Sequence, residues 1–255
     1  MKLKFLRDEI VGRALELAVE FSRGSPFPHV VLDDFFDASM LSSLLELYPS
    51  VHDQKWWVYD NPLEKKHAFN DLSQLARIFT DFFNELSSDR FVGFLERLSG
   101  LQGIIADPAL YGAGLHQILP GGKLDVHEDF NIHRELRAHR RLNVITFLNK
   151  DWSDGYRGDL QLWNESMDEC VRSIAPIFNR VVIFRTDMRS NHGHPEPLAC
   201  PSDRSRKSIA TYYYTPDGSI DVSMHRSTVY KKRVGDPDDP TLDELRERRK
   251  RGRVD

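Results

Sequence analysis

From about residue 106 onward the chain breaks into short runs rich in β-branched and aromatic residues, each closed off by turn residues. No other feature constrains its fold as much. The spacing predicts strands at 114–119, 123–127, 142–149, 159–163, 169–175, 180–185 and 206–215. About seven or eight short antiparallel strands of this kind fit a jelly roll or a sandwich. No segment recurs at a fixed period, which excludes a solenoid or a propeller.

The half before these strands is helical. Ile10, Val11, Ala14, Leu15, Ala18 and Phe21 recur at helical spacing until Gly24-Ser25-Pro26 stops them. A strand-like PFPHVVLDDFF follows, and Asp37 is placed to cap a helix carrying Met40, Leu41, Leu44, Leu45 and Tyr48. Two more helical stripes follow: Leu72, Leu75, Ile78, Phe79, Phe82 and Phe83, then Phe91, Phe94, Leu95 and Leu98. Between them and the first helices, 50–70 reads as irregular, with Trp56, Trp57 and Tyr59 expected to pack back on the core. The expected class is therefore α+β, a jelly-roll core with N-terminal helices packed against it. One domain would cover 1–230, helical to about 105 and β from about 106, with 231–255 a linker and charged tail. In that tail GDPDDP precedes a charged helix with Arg246, Arg248, Arg249, Lys250, Arg251 and Arg253, expected to be solvated and partly frayed for want of an apolar face.

Charge excludes some functions. Lys and Arg total 35 against 39 Asp and Glu, a formal charge of -4, so no global field draws the chain to nucleic acid or anionic lipid. Cys170 and Cys200 make neither a disulfide framework nor a zinc motif, which suits a reducing compartment. Charges at Arg7, Asp8, Glu9 and Arg13 interrupt any secretory signal, and no apolar run is long enough to span a bilayer. The expectation is a cytoplasmic protein with no membrane partner.

His127-Glu128-Asp129 lies where a strand is expected, so alternation sends His127 and Asp129 to one face and Glu128 to the other. An HxD tripeptide alone is a permissive pattern. It gains weight from SNHGHPEP at 190–197, which supplies His192 and His194 at a strand-like position downstream. Two histidines and one carboxylate on one face of a non-haem ferrous iron leave three coordination positions open, as oxygen activation requires. Two of these can take the keto and carboxylate oxygens of 2-oxoglutarate, and the third dioxygen. The remote carboxylate of that cosubstrate is best held by a guanidinium. Arg206 opens the strand RKSIATYYYT, with Arg204 and Lys207 as neighbouring alternatives.

Taken in order, LPGGKLDVHED, RRLNVITFLNKDW with GDLQLW, NRVVIFRTDMRSNHGHPEP and RSRKSIATYYYT resemble the prolyl-4-hydroxylase-like branch of the iron(II) and 2-oxoglutarate dioxygenases. The likeness covers about 114–215, and PFPHVVLDDFF looks like the strand that opens many members. The resemblance implies a double-stranded β-helix, with His127 and Asp129 as proximal iron ligands. It also implies His192 in its Ser-x-His-Gly setting as the distal ligand, in preference to His194, and Arg206 on the cosubstrate. Where prolyl hydroxylases often carry a tyrosine for the far carboxylate, this chain offers Thr146 and Phe147, and only Thr146 has a hydroxyl. Another tyrosine position is Leu119.

The reaction so implied hydroxylates a C–H bond and turns 2-oxoglutarate and dioxygen into succinate and CO2, with ascorbate a further candidate cofactor. Asp129 leaves no room for a halide, so halogenation is not expected. The missing tyrosines favour a small-molecule substrate over a peptidyl proline. His133 and His139, in the polar FNIHRELRAHRR, are candidate substrate contacts, while Arg134, Arg137, Arg140 and Arg141 read as a solvated charge run. One of His116 and Gln117 must face the interior. The competing readings are a binding module on the same scaffold and a cupin-like enzyme without cosubstrate.

Overall fold

The run Val181-Val182-Ile183-Phe184 is fully buried on both faces, so something must cover each side of the strand it forms. The computed structural model, which describes residues 4–52, 56–186 and 189–251, shows what does. Val181 and Ile183 join a core shared with the helices, whereas Val182 and Phe184 join a second core inside the rolled sheet.

In chain order the elements are α1 (Asp8–Gly12), α2 (Ala14–Arg23), β1 (His29–Leu32), α3 (Ala38–Glu46), β2 (Trp57–Asn61), β3 (Glu64–Phe69), α4 (Arg77–Leu86) and α5 (Asp89–Ser99). Then come β4 (Ile105–Ala106), β5 (Gly114–Ile118), β6 (Leu124–Glu128), β7 (Ile132–His133), β8 (Ala138–Phe147), β9 (Leu160–Trp163), β10 (Cys170–Ile174), β11 (Val181–Arg185), β12 (Asn191–His194), β13 (Arg206–Pro216), β14 (Val229–Tyr230) and α6 (Pro240–Lys250). The strands pair antiparallel in the order β1-β11-β8-β13-β5-β3-β6-β12-β9-β10. The sheet curls until Leu160 and Leu162 of β9 meet Phe147 of β8 and Phe184 of β11 across an interior. That is the jelly roll expected from the strand spacing.

The helices pack on the outer face of one wall. Phe79, Phe82 and Phe83 of α4 and Phe91, Phe94 and Leu95 of α5 bury against Leu142, Val144, Ile209 and Tyr213. The cap expected from sequence forms, Asp37 accepting from Ser39 N and Met40 N at the start of α3, and Asp239 caps α6 in the same way, accepting from Thr241 N and Leu242 N.

Two sequence expectations give way here. The stretch at 50–70 is not irregular throughout, because β2 and β3 form a hairpin in register from Trp57↔Ala68 to Asn61↔Glu64. Trp56 packs back as expected, its indole N–H donating to Ser50 O at 2.7 Å, but Trp57 is 67% exposed and Tyr59 also faces outward. The C-terminal helix is not a solvated tail. Arg249 pairs with Glu64 at 3.0 Å and its carbonyl accepts from Ser227 Oγ at 2.6 Å, while Arg246 is nearly buried beside Asp125. Ion pairs dock this helix where an apolar face would otherwise be needed; Arg253 lies outside the described residues.

Candidate metal centre

β6 and β12 are adjacent antiparallel strands, and their register sets His127 directly opposite His192. That pairing brings two imidazoles 65 residues apart in sequence to ring centroids 4.5 Å apart. Asp129 follows the end of β6 and turns to the same side, with Oδ1 3.6 Å from His127 Nε2 and Oδ2 3.6 Å from His192 Nε2. Glu128 points the other way, to Arg226 at 2.9 Å and Lys231 at 3.0 Å, as strand alternation requires.

The ligand atoms of His127, Asp129 and His192 all lie within 4.8 Å of one another. Ligands at right angles, each ~2.1 Å from one ion, stand about 3 Å apart, so the group is already near a coordinating arrangement. Each histidine is also oriented from behind: Nδ1 of His127 donates to Asp125 O and Nδ1 of His192 to Ser190 O, both at 2.9 Å. That leaves both Nε2 lone pairs facing the common centre, the arrangement that fixes a metal-binding tautomer. Burial lowers His192 to about 4, with His127 adding to the effect, so its ring is neutral and able to ligate at pH 7. Burial opposes ionisation of Asp129, but Arg140 and the two imidazoles prevail and hold its carboxyl well below the usual carboxylate range. The donor set of two imidazoles and one carboxylate fits a ferrous ion.

Arg140 is the residue that sequence reading misplaced. It is 3% exposed, its Nη2 donates to Asp129 Oδ2 at 2.7 Å, and its guanidinium lies 3.4 Å from the Tyr212 ring centroid and 4.6 Å from that of Phe130. The signal was strand extension: β8 begins at Ala138, so Arg140 belongs to a strand and not to a loop. His133 is likewise buried, 3.3 Å from Asp107 and edge-on to Tyr214, while His139 sits 3.5 Å from Asp217 at the surface. Neither reaches the triad's ligand set.

Arg206 starts β13 facing the interior. It is 5% exposed, sits 4.9 Å over the Phe147 ring, and donates Nε–H to Gly158 O at 2.7 Å. Burial lowers it to about 10, against the pull of Asp159, and among the described residues no carboxylate pairs with it. Its neighbours face elsewhere: Arg204 donates to Lys150 O at 3.0 Å and Lys207 to Ser205 Oγ at 2.8 Å. A buried guanidinium with no carboxylate paired to it is a site for an anion. Truncating such a group typically costs 2–5 kcal/mol, so Arg206→Ala should raise the 2-oxoglutarate concentration needed for half-maximal turnover by about 30-fold or more. An unchanged requirement in steady-state kinetics would remove Arg206 from the cosubstrate site.

Thr146 does not join this constellation. It lies between Ile209 and Val181 in the sheet, both in the helix-facing core, and shares its face with Val144 and Leu148. Phe147, on the opposite face, is the residue beneath Arg206. Of the pair on β5, Gln117 bonds Ser205 on the outer side. His116 faces Ser208 and the interior, where burial and then Lys66 and Arg206 lower it to about 3. Lys66 enters the same space from β3, paired with Glu64 at 3.2 Å; sequence gave no sign of it, because Lys65-Lys66 reads as surface charge.

Residues 113–214 match the model of the 2OG-Fe(II) oxygenase superfamily. No curated protein sequence matches the chain. Among solved structures it is similar to a prolyl-4-hydroxylase of Pseudomonas putida, at 14% identity and TM-score 0.56, covering 80% of this chain and 100% of that one. A prolyl hydroxylase of Trichoplax adhaerens in complex with a hypoxia-inducible-factor peptide gives 16% and 0.57, covering 82% and 93%. The non-heme alpha-ketoglutarate-dependent epimerase SnoN from nogalamycin biosynthesis gives 15% and 0.51, covering 82% and 88%. At these identities the structures speak to the fold. The matched segment holds the strands that carry His127, His192 and Arg206, so the resemblance to the 2OG-Fe(II) oxygenase superfamily falls on the part of the chain that builds this site.

Proposed function

We propose that this oxygenase hydroxylates a C–H bond of a small molecule, with His127, Asp129 and His192 as the iron ligands and Arg206 on the remote carboxylate of 2-oxoglutarate. The observation that carries the reading is the convergence of two Nε2 atoms and one carboxylate within 4.8 Å, backed by a buried guanidinium that has no carboxylate partner. When bound, the iron couples decarboxylation of 2-oxoglutarate by dioxygen, giving succinate and CO2, to oxidation of the substrate. The chain's own part is to hold and orient. Asp125 O and Ser190 O fix the imidazoles, Arg140 fixes the carboxylate, and the apolar wall of Phe147, Leu160, Leu162 and Phe184 excludes water. On a bound iron Asp129 would take the place that a halide would need, which makes an alcohol the expected product. Ascorbate, as a reductant that keeps iron ferrous, belongs to the same proposal.

The small-molecule substrate is favoured by Leu119 and Phe147 standing where peptidyl-proline enzymes often carry tyrosines. A peptide substrate is the second reading, favoured by β2, which pairs only with β3 among the described residues and so offers a free strand edge beside exposed Trp57 and Val58. Under anaerobic conditions, protein loaded with ferrous iron and 2-oxoglutarate should show a visible charge-transfer band. Admitting dioxygen with pools of metabolites or peptides should then release succinate, the responding pool choosing between the readings. No band and no succinate from any pool would favour a binding module on this scaffold instead.

A further inference from the structure

β9 runs beside β12 and acts as a ruler for the interior. Asn191 pairs with Trp163, His192 with Leu162 and Gly193 with Gln161, so the continuing register carries His194 level with Leu160. Leu162 and Leu160 both turn to the inner core, and His192 and His194 turn with them. Two residues before Leu160, Gly158 O receives the Nε–H of Arg206. His194 therefore occupies the level between the iron ligand His192 and the guanidinium of Arg206. Gly193 makes this possible: a Cβ there would meet Leu124 O at 2.8 Å and Asp125 O and Val126 Cα at 2.9 Å, so only glycine lets β12 lie this close to β6 with both histidines facing in.

The His194 imidazole is 3% exposed, and neither Nδ1 nor Nε2 has a hydrogen-bond partner. More than about nine in ten buried polar groups in folded proteins are bonded, and leaving one bare costs ~1–3 kcal/mol. An imidazole bare at both nitrogens is therefore built for something that binds. The iron is not that partner, because the ligand cluster is complete with His127, Asp129 and His192 and does not include His194. The charged side chains that act on it are Arg206, Lys66 and Lys123, all cationic, so the missing partner is an anionic acceptor.

We propose that His194 donates a ring N–H to the same remote carboxylate of 2-oxoglutarate that Arg206 holds, and so selects a five-carbon diacid over shorter 2-oxo acids. This rests on the function proposed above and extends it to a residue outside the metal and arginine set. The two nitrogens give different directions of approach: Arg206 reaches the carboxylate from β13, His194 from β12.

The test is equilibrium binding to anaerobic Fe(II)-loaded protein, for 2-oxoglutarate and for 2-oxobutyrate, which keeps the chelating end and lacks the remote carboxylate. His194→Leu should weaken 2-oxoglutarate about 10-fold, the value of one hydrogen bond, with metal content and 2-oxobutyrate affinity unchanged. His194→Gln, which restores an N–H donor, should recover most of the loss. Where the leucine variant does not fold, His194→Met takes its place as the variant without a donor. Unchanged 2-oxoglutarate affinity without the donor, or equal weakening of both acids, would overturn the inference. Wild-type protein that takes up Fe(II) but not 2-oxoglutarate would overturn the underlying function, and this inference with it.

Discussion

His127→Ala, Asp129→Asn and His192→Ala are each expected to reduce ferrous-iron affinity by more than about 100-fold and to bring succinate release to background. Residues that only orient a ligand usually cost 10–100-fold when removed, so loss of a ligand itself should exceed that range. Asparagine is the informative replacement at position 129. It keeps an oxygen for the Arg140 hydrogen bond now 2.7 Å long, so a folded, iron-free variant isolates the charge on the ligand from its structural role. His194→Ala should retain its metal, because its imidazole stands outside the ligand cluster. Metal analysis after anaerobic loading decides the assignment. If His194→Ala lost iron and His192→Ala kept it, the distal ligand would be His194.

Arg140 carries the second large effect. In the metal-free protein its guanidinium, 3% exposed, is the main counter-charge to Asp129. Removing one partner of a buried ion pair typically costs 3–5 kcal/mol, which for a chain of this size lowers Tm on the order of 10 °C. Arg140→Ala also gives up stacking on Tyr212 and Phe130, but that loss is the same with or without metal. A bound cation replaces the missing positive charge beside Asp129. The fall in Tm should therefore be clearly larger for metal-free than for metal-loaded protein, as read by paired thermal melts. Equal falls would mean that Arg140 acts by packing alone.

Much of the fold was legible because the strands announce themselves. The segment 180–185 was expected and β11 runs Val181–Arg185; 206–215 was expected and β13 runs Arg206–Pro216. The HxD alternation, with His127 facing inward and Glu128 outward, is legible for the same reason; Arg206 is not, since an arginine that opens a strand reads as surface until the histidines and the remote carboxylate of the cosubstrate are considered with it.

The misreadings share a physical cause: polar residues whose partners come from distant strands. Arg140 looked solvated because its carboxylate partner lies 11 residues back, on the far side of a turn. Lys65 and Lys66 and the proline at position 62 hid a hairpin whose hydrogen bonds depend on register, not on apolar alternation. The hydroxyl of Thr146 suits a carboxylate, but β8 is buried on both faces, so nothing in Leu142-Asn143-Val144-Ile145-Thr146-Phe147 tells which face looks at the site. The tail helix has no apolar stripe, and its docking depends on Glu64 and Asp125, which its own sequence cannot reveal.

The most direct test is a crystal structure of the protein with Mn(II), as an oxygen-stable substitute for ferrous iron, and 2-oxoglutarate. One metal is expected within ~2.1–2.3 Å of Nε2 of His127, a carboxylate oxygen of Asp129 and Nε2 of His192, with the cosubstrate's far carboxylate on Arg206. A metal bound elsewhere, or one that leaves either of these imidazoles turned away, would contradict it.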